Sequence, residues 1–404
     1  MGLFLLEHKK LWRKTSTKLC VCFCFCFLYI VVFGNVLNYH WFTFGSANPY
    51  KTAFGNDFDG YSNIRNSQKF AGKYGGKLTE ETLQQMVKDR QALAETEEEK
   101  VKYTDWNVVE GWLGTLYPEK KDFDVYLLMM DYVVPEGLTD LYDRREEAIR
   151  NFLENGGQTG KEREYLLKMN EKVETPFPYQ WTCGWSVLLG DTLDQMGMVL
   201  ALFLSIVLSG VFAGEWHDNM ASMVLTMKNG QKKIAGIKTL SGILFAVELF
   251  GMILVGNVAA QIFFLGVEGW DMPIQNIKMI AVAPMNMLQG EMYEYAFTFL
   301  GTVGFAGIVL LISAAVKSKM WALLGSLTVA YLPMVLSEYL PLGLQKALDL
   351  IPLVGSGADI FRTNTFCFFG RYIWSPYLLI TVPVLLGVFC IPFAVKRWSE
   401  KLKV

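Results

Sequence analysis

Residues 239–266 read TLSGILFAVELFGMILVGNVAAQIFFLG, and they contain one charged residue, Glu248. A run of about twenty predominantly apolar residues is long enough to cross the hydrocarbon core of a bilayer as an α-helix. Backbone amides in lipid have no water to bond to, so a helix is the conformation that satisfies them within the segment. The stretch therefore predicts a membrane-spanning helix.

Five further blocks share this length and composition. Because 52% of the chain is hydrophobic and only 19% is charged, an ordinary soluble protein is excluded. No pattern of alternating short strands competes with helices, so the sequence predicts an all-α membrane protein with six transmembrane helices. The other blocks are residues 19–38, 192–213, 295–316, 320–340 and 373–395, whose only charges are Asp194 and Glu338.

The distribution of lysine and arginine predicts the orientation, because cationic segments stay in the cytoplasm during membrane insertion. With six spans both termini lie on one side. That side carries 15 basic and four acidic residues, in segments 1–18, 214–238, 317–319 and 396–404. Residues 39–190 carry 18 basic and 25 acidic residues. We therefore expect a multi-pass protein of the plasma membrane, with both termini cytoplasmic and residues 39–190 extracellular.

The extracellular stretch is long enough to bury a core of its own. Helices are predicted at residues 79–100, 135–155 and 161–172, whereas residues 39–78 look irregular. The acidic surplus is interpreted as a solvated surface, with ion binding as the less favoured alternative. The apolar face of the second predicted helix comprises Leu138, Leu141, Ile149, Phe152 and Leu153.

Two further segments are predicted to lie at the membrane surface. Residues 1–18 mix apolar side chains with lysines, as in an amphipathic helix along the inner interface. Residues 341–372 are too polar to cross but carry many leucines, which predicts short helices at, or dipping into, the outer leaflet. The chain thus divides into these segments, a first transmembrane helix at 19–38, an extracellular domain at 39–190 and a transmembrane domain at 191–404.

Polar residues in the third span are the candidates for function inside the membrane. Glu248 is a carboxylate in an apolar helix, which is costly unless it faces the bundle interior, and Asn257 and Gln261 lie further out. Glu248 is interpreted either as part of a polar lining or proton-accepting site, or as a hydrogen-bond partner between helices. The residues alone leave both readings open.

Small residues predict where helices pack closely. In the second span Ser205, Ser209 and Ala213 share one face. In the fourth span glycines recur at positions 301, 304 and 307. Each set predicts a close approach by a neighbouring helix.

Motifs for catalysis are weak. The nearest approach to a phosphate-binding loop, residues 155–162, lacks the first glycine and ends in Glu162, where a hydroxyl should hold magnesium. None of the three histidines has a second histidine or cysteine at metal-ligand spacing. The chain is therefore expected not to be an enzyme by itself and to hold neither metal nor cofactor. Nucleic acid is not an expected partner.

The loop after the second span, residues 211–245, reads VFAGEWHDNMASMVLTMKNGQKKIAGIKTLSGILF. An acidic residue, Glu215, closes the span, an amphipathic helix is predicted at residues 218–227, and Lys238 opens the next span. This order of features resembles the permease subunits of the ABC type 2 exporter family, in which a coupling helix contacts a separate ATP-binding subunit. The six spans, the interfacial amino-terminal helix and the large external insertion are also similar to that family, whose fold is called type V.

The resemblance implies that loop 214–238 couples an ATPase subunit to export. A methionine-rich face suits an adaptable docking surface, whereas the alternative is a helix that lies on the inner leaflet. ATP and magnesium would be held by the partner subunit, and a second permease chain, identical or different, would complete the transporter. The residues implied in coupling are Glu215, Asp218, Met220, Met223, Val224, Met227, Lys232, Lys233 and Lys238.

Other functions stay open. One is a membrane-anchored sensor or immunity protein whose extracellular domain binds a peptide ligand. Another is a secondary transporter, which is disfavoured because no internal repeat is visible among the spans. Similar permeases carry peptides, lipids or ions, and the extracellular domain does not choose between these substrates.

Overall fold

The computed structural model describes residues 2–38, 68–69, 71–92, 106–122, 128–158, 160–226, 231–337, 339–348, 350–353 and 360–400. These residues are mostly helical, with two small antiparallel sheets. The elements up to the second strand are α1 (Gly2–Arg13), α2 (Thr15–Asn38), β1 (Gly76–Lys77), α3 (Glu80–Ala92), α4 (Trp106–Leu116), α5 (Met129–Tyr132), α6 (Leu141–Asn155), α7 (Gly160–Asn170) and β2 (Pro178–Tyr179). The later elements are α8 (Cys183–Ser186), α9 (Leu193–Leu208), α10 (Ala213–His217), α11 (Ala221–Thr226), α12 (Lys232–Ala260), α13 (Met287–Ala315), α14 (Lys319–Ser337), α15 (Leu342–Leu348), β3 (Thr365–Phe368), β4 (Arg371–Trp374), α16 (Ser375–Leu379) and α17 (Thr381–Glu400).

Four of the described helical segments are long and apolar enough to cross a membrane. The apolar helix at Thr15–Tyr29, within α2, is shorter, and α14 lies where the fifth span was predicted. The helical class and the membrane character are therefore confirmed, with four helices of spanning length. These four are Met196–His217, Lys232–Leu265, Met287–Ala315 and Ser375–Glu400.

The second predicted span is interrupted near its end. α9 ends at Leu208, and α10 resumes at Ala213 after a short turn. The Ser313 hydroxyl of α13 bridges this break. It donates to the carbonyl of Ser209 (2.6 Å) and accepts from the backbone N–H groups of Phe212 and Ala213 (3.1 Å each). A neighbouring helix thus forms hydrogen bonds with backbone groups that have no partner within the broken helix. Because of the break, the predicted face of small residues does not continue past Ser209.

The fourth spanning helix is longer than its apolar block. α13 begins at Met287, about two turns before the predicted block at 295–316. A capping box starts it: the Asn286 side chain accepts from the N–H of Gln289 (2.8 Å), and the Gln289 side chain accepts from the N–H of Asn286 (3.1 Å). The prediction stopped short because the extension contains carboxylates, among them Glu291.

α13 lies centrally in the bundle and packs against α9, α12, α14 and α17. Its approach to α17 is closest at its glycines. A Cβ at Gly304 would lie 2.6 Å from the carbonyl oxygen of Pro383, and one at Gly307 would lie 3.6 Å from the Cα of Gly387. The close packing predicted from the glycine repeat is therefore confirmed at these two positions, whereas Gly301 approaches Leu353 instead.

The domain between α2 and α8 has a core built from α3, α4, α5, Leu141 at the start of α6 and the segment around β2, whereas Ile149 and Leu153 further along α6 belong to the main core. The predicted apolar face of α6 is confirmed for Leu141, Ile149 and Leu153, which are fully buried, as is Leu138 before the helix. Phe152 is an exception at 40% exposed, because one residue along a helix turns the side chain about 100° away from that face.

The domain between α2 and α8 docks on the segment between α12 and α13. The Arg145 guanidinium, only 2% exposed, donates to the carbonyls of Met279 (2.8 Å) and Ala281 (3.1 Å). Trp112 donates its ring N–H to the carbonyl of Asn276 (3.1 Å). The backbone carbonyls of this irregular segment therefore accept hydrogen bonds from side chains of the domain. These contacts join the domain to the two spanning helices α12 and α13.

The segment predicted as short outer helices, residues 341–372, differs from that prediction in its second half. α15 is helical, but β3 and β4 then form an antiparallel hairpin, with Thr365 paired to Trp374. The last apolar helix correspondingly begins at Ser375. Aromatic and β-branched residues favour strands over helices here.

Candidate functional site

Four charged side chains meet where α1, α10 and α12 come together. Lys238 Nζ donates to Glu215 Oε1 (2.6 Å) and to Glu7 Oε2 (2.9 Å), and Lys10 Nζ donates to the same Glu215 oxygen (2.8 Å). The side chains of Lys238 and Glu215 are only 4% and 7% exposed. Two positive and two negative charges compensate one another, as buried charges require. We call these four residues the charge network.

The local chain geometry fixes the position of Glu215. Asn219 has a φ of 58°, and the N–H groups of Asn219 and Met220 donate to the carbonyls of Trp216 (3.2 Å) and Glu215 (2.8 Å). This is a Schellman motif, and asparagine is one of the few residues that adopts its left-handed conformation readily. The helix predicted at residues 218–227 is therefore shorter in the structure: α10 ends at His217, the chain turns at Asn219, and α11 begins only at Ala221.

α1 contributes two of the four residues of the charge network, Glu7 and Lys10. The sequence analysis did not predict a role for either residue. Glu7 and Lys10 are three residues apart and so share one face of the helix, which packs against α12. Their partners lie 231 and 205 residues away, so no local pattern could reveal the pairing. Burial alone would lower the pKa of Lys10, but the hydrogen bond and the charge of Glu215 outweigh burial and raise that pKa above its ordinary value.

Most other residues implied in coupling lie at the surface. Asp218, Lys232 and Lys233 are exposed. Met220 and Met223 are 42% and 52% exposed, so two large apolar side chains lie at the protein surface beside the break. Met220 directly precedes α11, and its carbonyl accepts from the N–H of Val224 (3.0 Å), so Met220 and Met223 are one turn apart and present one face.

Three of the implied residues have other placements. Val224 is half-buried and packs against the main core, so it does not belong to the exposed face. Met227 lies outside the described residues. Lys238 lies inside α12, which begins at Lys232, and not at the start of a helix. Since Lys238 and Glu215 are buried, they brace the loop from within and present no surface to a partner.

Glu248 lies where α1 covers α12. The ring N–H of Trp12 donates to Glu248 Oε2 (2.9 Å), and His8 Nε2 lies 3.1 Å from Glu248 Oε1. Of the two readings of this carboxylate, a hydrogen-bond partner between helices agrees with these contacts. α1 therefore packs against α12 through Glu248 as well as through Lys238.

Asn257 and Gln261 belong to a separate polar cluster. Both are buried, and Gln261 lies beside Glu291, which is 4% exposed on α13. Tyr295 lies beside both Glu291 and Asn257. Sequence analysis missed Glu291 because it precedes the apolar block, although the capping box before it is a signal that would have extended the helix.

No family model matches the chain, and no curated protein matches it either. Within the part of the chain that the structure describes, no three histidine, cysteine, aspartate or glutamate side chains are grouped so that they could hold a metal ion. The described residues form a helical membrane protein in which the domain between α2 and α8 docks on the bundle and the charge network braces the loop between α10 and α12.

Proposed function

We propose that the chain is a transmembrane permease subunit of an ATP-driven ABC exporter, in which α11 couples a separate ATPase subunit to the membrane helices. Six helices cross the plasma membrane in this proposal, since α2 and α14 join the four helices of spanning length. Both termini and α11 face the cytoplasm, and the domain between α2 and α8 is extracellular. A second permease chain completes the transporter, and the ATPase subunit holds ATP and magnesium.

The observation that carries the proposal is an exposed apolar pair on a braced loop. Met220 and Met223 lie at the protein surface, while Val224 on the same helix packs inward. Methionine side chains are flexible and polarizable, and exposed methionines are a common docking surface for a partner protein. Such a pair is costly to expose unless a partner covers it.

The charge network supplies the mechanical link that coupling requires. Glu215 lies in α10, directly before α11, and its partners Lys238 and Lys10 lie in α12 and α1. Breaking a buried ion pair by displacing one partner costs about 3–5 kcal/mol. A push on α11 is therefore passed to two helices of the bundle and is not absorbed by a flexible loop.

Met223→Asp tests the proposal, with Ser222→Asp as the matched control on the same helix. A carboxylate at position 223 would have to lose its water in an apolar contact, whereas Ser222 is exposed and lies about 100° away around the helix. We expect the wild-type chain and the control to co-purify with an ATPase subunit from native membranes and to stimulate its hydrolysis in nanodiscs. Met223→Asp should lose both properties while its thermal stability stays unchanged.

Three results would contradict the proposal. Equal coupling in the Met223→Asp variant and its control would remove α11 from the interface. A tag inserted at position 229 that is accessible from outside intact cells would invert the orientation. A wild-type chain that purifies without any ATPase and binds an external peptide would favour the membrane-anchored sensor or immunity protein.

A further inference from the structure

The β3–β4 hairpin presents an exposed aromatic tip. Phe369 is as exposed as in an extended peptide (106%), and Phe368 is 43% exposed. Phe366 stacks on Phe368 with 6.5 Å between the ring centroids. Single exposed apolar residues are ordinary. A group of neighbouring aromatic side chains at one turn, however, indicates a surface that contacts a partner or a lipid.

The conformation of the tip is unfavourable for the residue it carries. Phe369 and Gly370 have φ values of 49° and 78°, so both central residues of the turn are left-handed. This turn matches the twist of a hairpin, but asparagine, aspartate or glycine is the usual first residue. A bulky side chain in this conformation is energetically unfavourable, and such positions are often retained for function.

The base of the hairpin is fixed close to the membrane. β4 runs through Trp374 directly into the apolar helix that starts at Ser375. Trp374 is fully buried, and its ring N–H donates to the carbonyl of Arg362 (2.9 Å). At about 3.3 Å per strand residue, Phe369 at the tip lies no more than about 20 Å from the start of that helix. The headgroup layer, about 5–8 Å thick on each side, is within reach if the hairpin leans along the surface.

The charge of the hairpin suits an anionic lipid surface. Residues 360–374 contain Arg362 and Arg371 and no acidic residue, and both arginines are exposed. The external stretch at residues 39–190 has the opposite balance, with 18 basic and 25 acidic residues. Aromatic rings and arginines together are typical of segments at the membrane interface, where the rings sit among headgroups and the cations meet phosphates.

We propose that the β3–β4 hairpin is a lipid anchor that inserts Phe368 and Phe369 among the headgroups and places Arg371 against lipid phosphates. The hairpin also holds the external domain, because the Thr365 hydroxyl donates to the Glu162 carboxylate and the backbone N–H of Trp374 donates to the Tyr165 hydroxyl (3.3 Å). The anchor therefore sets the height of that domain above the bilayer. This role needs no transport and stands apart from the proposed export function.

A nitroxide at the tip tests the proposal. In a chain whose seven native cysteines are replaced, Phe369→Cys is spin-labelled in nanodiscs of phosphatidylcholine and phosphatidylglycerol. Arg150→Cys, on the exposed face of α6, is the control. Oxygen concentrates in lipid and a nickel chelate stays in water, so we expect a severalfold higher ratio of oxygen to nickel collisions at position 369 than at position 150. Arg371→Glu should lower that ratio.

A second measurement leaves the cysteines in place. The photo-cross-linking analogue p-benzoylphenylalanine replaces Phe369, and the adducts are identified by mass spectrometry. Lipid adducts support the anchor. Equal collision ratios at the two labelled positions, protection of position 369 from both reagents, or adducts with protein alone would overturn it, since each indicates water or a protein partner at the tip.

Discussion

The charge network predicts an unusual pattern of stability changes. Lys238→Met and Glu215→Leu each remove one partner of a pair whose side chains are 4% and 7% exposed. Removing one partner of a buried ion pair typically costs 3–5 kcal/mol. Here the remaining partner keeps a second contact, since Glu215 retains Lys10 and Lys238 retains Glu7. We therefore expect the lower end of that range, about 3 kcal/mol, for each single variant.

The double variant Lys238→Met/Glu215→Leu distinguishes coupled charges from two independent losses of contact. Two independent changes would cost about 6 kcal/mol together, but the double variant removes both of the most buried charges and leaves only Glu7 and Lys10, which are 20% and 52% exposed. We expect the double variant to cost about 3 kcal/mol, no more than either single, which is a coupling energy of about 3 kcal/mol. Lys10→Met should cost less than about 1 kcal/mol, because Lys10 is 52% exposed and its pair is screened by solvent.

Reversible unfolding of the purified chain in mixed micelles of a mild detergent and dodecyl sulfate measures these differences. Tryptophan fluorescence follows the unfolding, since the eleven tryptophans include Trp216 of α10, which packs against Trp398 with ring centroids 6.2 Å apart. Additive effects in the double variant would refute the reasoning. So would a cost for Lys10→Met as large as that for Glu215→Leu, because the network would then not depend on burial.

Gly304→Ala places a methyl group against the backbone of α17 and should cost about 1–3 kcal/mol in the same assay, whereas Gly251→Ala, which has open space around it, should be neutral or stabilising. Arg145→Met leaves the buried carbonyl of Met279 without its side-chain donor, whereas the carbonyl of Ala281 keeps the side chain of Gln275, so we expect a loss of about 2 kcal/mol and faster hydrogen exchange in that segment but not in α3. Burial alone would raise the pKa of Asp89, but hydrogen bonds led by that from Lys73 outweigh burial and lower the pKa. The stability that this carboxylate contributes is present at neutral pH and is lost as the pH falls through the lowered pKa, so Asp89→Asn should speed hydrogen exchange in α3 at pH 7 and match the wild type well below pH 3.8.

The length of the apolar segments predicted the spanning helices, because a helix that crosses a bilayer needs about twenty apolar residues whatever it packs against. α12 and α13 follow from this rule. The length of an apolar segment does not locate a helix end that lies outside that segment. α13 is an example, because it begins at Met287 with a capping box that hydropathy does not detect. The break after Leu208 was missed for a related reason, since it depends on a hydroxyl of another helix, Ser313.

Contacts between distant parts of the chain could not be predicted from one sequence. Periodicity shows that Glu7 and Lys10 share a face of α1, but not that α12 covers that face. His8 and Glu248, which meet in the bundle, are 240 residues apart. The β3–β4 hairpin was missed because its strands are four residues long, too short for alternation to be distinguished from a helical pattern.

The charge network also constrains the order in which the protein is assembled. The ribosome makes Lys10 205 residues before Glu215, and Glu7 231 residues before Lys238. The charges of α1 must therefore stay hydrated until α12 has been synthesised. Biogenesis of the bundle then closes on one of its earliest segments, so a bulky fusion close to α1 would allow insertion and yet block the final locking step.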